Sequence, residues 1–512
     1  MLFVKRLLVI ATLTGLFYLP AASTAADAPL RLSLQDALQT AIEKNFDVRV
    51  QKETRKQADF NLKGAYGAYD PYLTLDWSTS VNRQPTTSVL QAGAGANLYQ
   101  NRQDQYNLGV NQNTPWGQNF SLAWDNTRQK SNSSFMTLNP SYQSFGTLST
   151  RLPLLQNFGY RVANRTVLKA KLDKAIADSS YMQNVRDVLF SVENDYWNFV
   201  YAIRNLDVKK RALQLAKQFQ EETAKKIKVG VLAPIEQIAA DAQVASREQE
   251  IIAAVQSVGD SEDALKLALG ITRDDKEWSE SIVPTDEPVI SAGDYEESQL
   301  LKKAHSQRPE LARMEKQVKK DKLDTHWAHN QMLPKLDFNA SVTYRGSAGY
   351  YKNPYTGAVV NDKFSKAWEQ ITGRDYKSYS VGVNFAIPIG NRAARAGYQV
   401  YRLNQNADEI ALQKQELTIA NEVRSALRNL RATQKRVSAA ELTLKLQQEK
   451  LDAEKKKFEN GLSTSFNVLS YQNDLATAES GLLRARIDAS LASAALDKAV
   501  GTYLKARGIE IG

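Results

Sequence analysis

The sequence predicts a mixed α and β membrane protein: an internally duplicated long-helix coiled-coil barrel joined to a transmembrane β-barrel that trimerisation completes. Three observations carry this. The chain is written twice, two of its helices are far too long for a globular domain, and strands interrupt both copies at the same place.

The 512-residue chain opens with Lys5 and Arg6, an apolar run from Leu7 to Leu19, and the small residues Ser23-Thr24-Ala25. A positive start, a short apolar core and a small-residue cleavage site make residues 1–25 an export signal, and Pro20 argues against a retained span. Beyond it no run of about 18 apolar residues occurs. Any membrane crossing by the mature chain is therefore expected to be a closed barrel, which pairs its backbone groups within lipid.

The duplication is read from spacing. Gly159-Tyr160-Arg161 answers Gly390-Asn391-Arg392, 231 residues on, and the same offset relates Gly230 to Gly461 and Gly270 to Gly501. Upstream, Ala41 answers Ala304 and Pro71 answers Pro334 at an offset of 263. The first copy therefore carries 32 extra residues between Pro71 and Gly159. The first repeat spans 26–270, the second 296–507, and a connector at 271–295, with Pro284 and Pro288, is expected near the waist of the helices.

Each copy reads as helix, strands, long helix, turn, shorter helix. The long helices, expected over 161–229 and 392–459, contain no proline and would each run roughly 100 Å. In the second, Leu430, Val437, Leu444, Leu451 and Phe458 recur every seven residues. Phe199, Leu206, Leu213, Gln220 and Ile227 take the matching positions in the first. A seven-residue period implies left-handed coiled-coil packing. Shorter helices are expected over 33–69, 234–269, 296–332 and 465–500. A filamentous coiled coil would share the heptads but leaves the interrupting strands unexplained.

Strand regions are expected within 72–153 and 335–388. Leu73, Leu75 and Trp77 alternate with Thr74, Asp76 and Ser78, and Tyr379, Val381, Val383 and Phe385 alternate likewise. Aromatic-rich period-two segments of about 10 residues fit barrel strands with one lipid-facing side; a soluble sandwich alternates in the same way. Further strands are expected at 105–113, 119–129 and 143–153, and the hairpin of the first two accounts for much of the excess in the first copy. Segments 84–101 and 346–373, rich in Gly, Asn, Thr and Tyr, read as external loops.

Composition narrows the chemistry. There are no cysteines, which removes disulfides, thiolate metal sites and a lipidated N-terminal Cys. The net charge of +10 is spread along helical faces, which argues for solvated helix surface rather than a nucleic-acid partner. His326 and His329 share a helical face, yet no third ligand accompanies them, so packing is preferred to a metal site. No catalytic triad order, phosphate-binding loop or zinc-protease motif occurs, and neither an enzyme nor a cofactor is expected.

The opening Leu32-Ser33-Leu34-Gln35-Asp36-Ala37-Leu38, the paired signatures ending in Phe158-Gly159 and Ile389-Gly390, and the turns Val229-Gly230-Val231 and Asn460-Gly461-Leu462 together resemble the TolC-type outer-membrane efflux protein family. The resemblance covers nearly all of the mature chain. It implies a homotrimer in outer-membrane lipid, extending into the periplasm and docking onto an adaptor protein coupled to an inner-membrane pump. It implies export of small molecules or proteins through a tripartite efflux or type I secretion system. A structural coiled-coil envelope protein, or a surface receptor, is the alternative. In such a duct Gly230, Val231, Glu236, Gly461, Leu462, Asn467 and Ser470 would form the periplasmic tips and aperture, and Pro71, Gly159, Pro334 and Gly390 the helix–barrel junctions. Relatives often place acids after the second tip glycine; here Asn467 and Ser470 stand instead, which leaves Glu236 as the acidic candidate.

Overall fold

The computed structural model describes residues 30–510 apart from 88–96, 134, 290–292, 294 and 354. The expected export signal and most of the tip of the first expected loop lie outside these residues. Among the described residues, no helix is long and apolar enough to cross a membrane.

The chain begins with β1 (Leu30–Leu32), α1 (Leu34–Lys44) and α2 (Phe46–Tyr66). Four long strands follow: β2 (Tyr72–Pro85), β3 (Leu98–Asn113), β4 (Asn119–Ser131) and β5 (Ser141–Pro153). After a short α3 (Tyr160–Ala163), α4 (Arg165–Lys228) turns back into α5 (Ile235–Leu269). The connector contributes β6 (Ile282–Pro284), which pairs in parallel with β1. The second copy comprises α6 (Glu297–Gln307), α7 (Pro309–Asn330), β7 (Lys335–Lys352), β8 (Val359–Asn361), α8 (Phe364–Gly373) and β9 (Lys377–Ala386). It ends with α9 (Arg392–Glu459), α10 (Ser465–Val500) and α11 (Tyr503–Ala506).

With 64 and 68 residues, α4 and α9 are about 96 and 102 Å long. Each long helix packs on α5 or α10 along one part and on α2 or α7 along another. Leu430, Val437, Leu451 and Phe458 are buried on α9, as the heptad predicts, and Leu444 is half-buried. On α4 the outcome differs. Phe199 is buried, but Leu206, Leu213, Gln220 and Ile227 are only half-buried. Val208, Ala212, Ala216, Phe219 and Thr223 take the buried stripe instead. Small alanines and the Phe219–Phe458 ring contact at 5.3 Å select this shifted phase.

Two other expectations need correction. The helices expected over 33–69 and 296–332 are each broken, at Asn45 and at Arg308. Asn45 Oδ1 accepts from Asp47 and Val48 N–H and so starts a new helix, while Pro309 stands at the first position of α7. Under the 263-residue offset the two breaks are equivalent. Gly270, at φ +76°, presses on the backbone of Lys44 and Asn45, and Gly501, at φ +85°, on that of Gln307 and Arg308. A Cβ at Gly270 would collide with the chain at the break and one at Gly501 would be tightly crowded by it, and the left-handed backbone itself favours glycine. The segment 346–373 is likewise not an open loop. It continues β7 to Lys352 and then forms β8 and α8.

Six long strands form one antiparallel sheet in the order β2-β3-β4-β5-β7-β9. Their registers run without a bulge from Tyr72↔Asn111 to Lys335↔Ala386. Parity then assigns every side chain to one of two faces. One face carries Leu75, Leu108, Trp124, Leu148, Val342 and Tyr379; the other carries Asp76, Asn107, Asp125, Thr147, Thr343 and Ser380. All ten residues of the edge strand β9 are exposed, as is nearly all of the opposite edge β2.

Candidate functional site

Both ends of the long helices are built by glycine. At the end of α4, Gly230 has φ +76°; its N–H donates to Ile227 O at 3.0 Å, and Val231 N–H donates to Lys226 O at 2.9 Å. At the end of α9, Gly461 has φ +73°; its N–H donates to Phe458 O at 3.2 Å, and Leu462 N–H donates to Lys457 O at 2.8 Å. This is the paired bonding of a Schellman stop, which requires a left-handed residue and satisfies carbonyls the helix leaves open. Each stop reverses the chain within a few residues.

The two reversals lie side by side. Phe219, Leu451, Phe458, Val468, Leu469 and Leu475 form one buried cluster just behind them, with Leu232 packed against it. Lys226 Nζ sits 4.2 Å from the centre of the Phe458 ring. In front of the cluster the apolar residues face outward. Val229, Val231, Ile235, Leu462 and Phe466 are all exposed, Leu462 by 78%. Glu236 and Ser470 are half-buried.

Asn467 belongs to a small polar clasp: its Nδ2 donates to Ser463 Oγ at 3.4 Å, and Ser463 Oγ donates to Glu454 at 2.5 Å. The Ser463 hydrogen bond, with Lys457 adding its own bond and charge, holds the Glu454 carboxyl below its ordinary range. The sequence reading missed Glu454. It sits seven residues before Gly461, inside α9, where nothing local distinguishes it from the other charged residues of that helix.

The junction residues meet at the other end of the long helices. Gly159 and Gly390 have φ +96° and +83°, and Asn157 and Asn391 are also left-handed. Around them amides fasten the junction, those of Asn157 and Asn330 between the two copies and that of Asn391 within the second. Asn157 N–H donates to Asn330 Oδ1 at 2.7 Å, Asn330 Nδ2 to Leu155 O at 3.0 Å, and Asn391 Nδ2 to Met332 O at 2.9 Å. Pro334 O accepts from Gln156 N–H at 3.3 Å. Pro71 ends the helical turn before β2. His329 packs edge-on to Tyr398 at 5.6 Å, and His326 is exposed. Among the described residues no group of three potential ligands is positioned to hold a metal.

What this arrangement can do is structural. A sheet with a dry face and a wet face, carried on helical hairpins of about 100 Å, can separate two media and connect them lengthwise.

Comparison with known proteins bears on the same features. The sequence profile described as outer membrane efflux protein matches residues 115–271 and 300–502. No curated protein matches the chain by sequence. Among solved structures, the outer-membrane channel OprN is similar with a TM-score of 0.64 at 14% identity, over 92% of this chain and 90% of that one. The Campylobacter jejuni CmeC outer membrane channel gives 0.63 at 16% identity, over 92% and 86%. The open state of the Neisseria gonorrhoeae MtrE outer membrane channel gives 0.61 at 16% identity, over 92% and 89%. At these identities the likeness to solved structures is one of fold.

Proposed function

The chain belongs to the outer membrane efflux protein family, and from that premise we propose that three copies assemble into a passive duct through the outer membrane and periplasm. The family is one of transport channels rather than enzymes, and the chain is a protein of the outer membrane that extends into the periplasm.

The observation that carries the reading is the sheet. Its six long strands keep one apolar and one polar face in unbroken register, and both of its lateral edges are open. An open edge in lipid leaves unpaired backbone groups, so β9 of one copy is expected to pair with β2 of the next until the sheet closes. Three copies would contribute eighteen strands. The apolar face would meet lipid and the polar face would line a water-filled lumen.

Below the sheet, the long hairpins would carry the lumen across the periplasm. The exposed apolar residues around Gly230, Val231, Gly461 and Leu462 support docking onto a periplasmic adaptor coupled to an inner-membrane pump. Glu236, Asn467 and Ser470 would border the aperture. Small molecules or secreted proteins are the cargo class, within a tripartite efflux or type I secretion system. Residues 1–25 would direct export and be removed. The two repeats at 26–270 and 296–507, with the connector at 271–295, would each supply half of every protomer.

Because the chain has no cysteine, closure can be tested directly. Within one protomer β2 and β9 stand five strand spacings apart, about 24 Å, beyond the reach of a disulfide. Cysteines scanned along Thr74–Ser80 and Ser378–Asn384 should therefore join only neighbouring copies. The expected result is a covalent trimer on a non-reducing gel, together with single-channel conductance in planar bilayers. Monomers at every pair, with no conductance, would overturn the reading in favour of a structural or receptor role.

A further inference from the structure

The apolar face of the sheet is not uniform. Starting from Leu73 it is apolar for several rows, and then its chemistry changes toward the strand ends farthest from the helices. Arg102 and Lys130 lie directly opposite each other on β3 and β4. Arg128 follows two residues before Lys130 on the same face, and Arg83 is diagonal to Arg102 across β2. Like charges directly opposite in an antiparallel pair destabilise it. One acid, Asp104, sits among them: its carboxylate accepts from Thr79 Oγ1 at 2.6 Å, Arg102 Nε at 3.0 Å and Arg128 at 3.0 Å. Four cations against one carboxylate leave the patch clearly positive, and the Arg102 side chain is 52% exposed.

Height on the barrel decides what the patch meets. Arg102 and Lys130 share the row of Val81, eight residues above Leu73, about 26 Å along the strand and about 20 Å after the tilt of barrel strands. The apolar band on outer-membrane barrels is about 25 Å tall. The backbones of these cations therefore sit just below the outer polar boundary of the membrane, on the outside of the wall, within reach of it by their long side chains.

Immediately below them a groove of about 540 Å3 opens on the same face, a size within the roughly 300–1,000 Å3 range of ligand sites. Its walls are apolar: Leu75, Trp77, Tyr106, Leu108, Trp124 and Phe364. Phe364 belongs to α8, which lies against this face. Trp368 of α8 packs at a tilt on Trp124 with ring centres 4.6 Å apart, and Ala367 is fully buried over Gly346. Without α8 this surface would be a flat barrel wall; with it, the wall has a slot open beneath the arginines.

We propose that the outer wall holds a specific site for a phosphate-bearing acyl lipid of the outer leaflet. One acyl chain lies in the groove under Phe364, and the phosphate bridges Arg102, Arg128 and Lys130. The proposal rests on the reading of the apolar face as lipid-facing. Charge complementarity selects the occupant: guanidinium groups pair bidentately with phosphate, and a bound phosphate relieves the Arg102–Lys130 repulsion. A neutral lipid would leave that repulsion in place, and a free anion would leave the groove empty.

The test uses the full-length protein in a non-ionic detergent with diphosphorylated lipid A as probe, followed by native mass spectrometry. The wild type should bind it saturably. The R102Q/K130Q double variant should bind about tenfold more weakly or worse, the loss expected from removing charge-assisted bonds. Lipid A stripped of phosphate should bind the wild type no better than intact lipid A binds that variant. Phe364→Ala, which opens the slot, should weaken both lipids together. Equal binding of the two lipids, no effect of the double variant, or equally tight binding of inorganic phosphate would each overturn the site. Conductance of R102Q/K130Q should equal wild type; absence of conductance from the wild type itself would count against the duct reading and leave the lipid contrast to be judged separately.

Discussion

Replacing Glu310 by Ala should destabilise the helical part of the protein by about 3 kcal/mol at neutral pH. Glu310 begins α7 in the second copy and is buried, as are its two partners, Arg186 on α4 of the first copy and Arg308 at the helix break. It accepts from Arg186 Nη1 at 3.2 Å and Nη2 at 2.5 Å, and from Arg308 Nε at 3.0 Å. Losing one member of a buried ion network costs about 3–5 kcal/mol, because the remaining charges stay out of water. Here the lower figure applies, since Arg186 keeps Asp187 and Arg308 keeps Glu422 and the Ala499 carbonyl.

The pH dependence has a definite sign. Burial pushes the Glu310 carboxyl up, but the hydrogen bond and charge of Arg186, with Arg308 adding to them, outweigh it and hold the group below its ordinary 4.5. Its stabilisation is therefore present above the unfolded value and is lost as pH falls through the lower folded one. Denaturant titration followed by circular dichroism at helical wavelengths should show the full gap between wild type and Glu310→Ala at pH 7, and a shrinking gap below about pH 4. The pair R186M/E310L should cost less than the sum of its single changes. A loss under about 1 kcal/mol at pH 7, or a gap that does not narrow in acid, would refute the assignment of the network as a buried ion cluster.

Other expectations follow from single contacts. Gly461→Pro removes the N–H that bonds Phe458 O and cannot adopt φ +73°; it should abolish export in a deletion-strain assay while leaving the trimer intact on a gel. Gly346→Leu would drive a side chain into the backbone of Ala367 and should detach α8, read as rapid tryptic cleavage at Lys363, Lys366 or Arg374 that the wild type resists. Burial, and then the hydrogen bond and charge of Asp408, push the Asp321 carboxyl up to about 7. The folded state thus keeps a proton that the unfolded chain releases near 3.8, so stability falls as pH rises from 4 through 7. Asp321→Asn should raise the unfolding free energy at pH 8 by about 1–2 kcal/mol after solvent screening, and leave it nearly unchanged at pH 4; an equal effect at both would contradict the assignment.

Much of this architecture was legible because it is written in short periods. A strand exposes its alternation within ten residues, a coiled-coil helix its heptads within a few turns, and a glycine stop its own position; none of these needs a distant partner. The repeat itself is an offset and needs no structure at all. The sequence therefore determined the duplication, the strand-bearing regions, the long helices and the turns at Gly230 and Gly461. What it did not determine depended on two distant segments meeting. The breaks at Asn45 and Arg308 carry local signals, the Asn45 cap and Pro309, but the room each needs is supplied by Gly270 and Gly501, more than 190 residues away in each case. The buried stripe of α4 follows from facing α5 and α10 rather than from its own heptads, since both available phases are similarly apolar. The helix in segment 346–373 looks like a loop because its polar composition masks four apolar residues that find their partners only on the sheet, where Ala367 is buried and Ile371 half-buried. Tertiary structure decided these points for one reason: each side chain's best environment was supplied by another part of the chain, and local periodicity carries no record of which part that is.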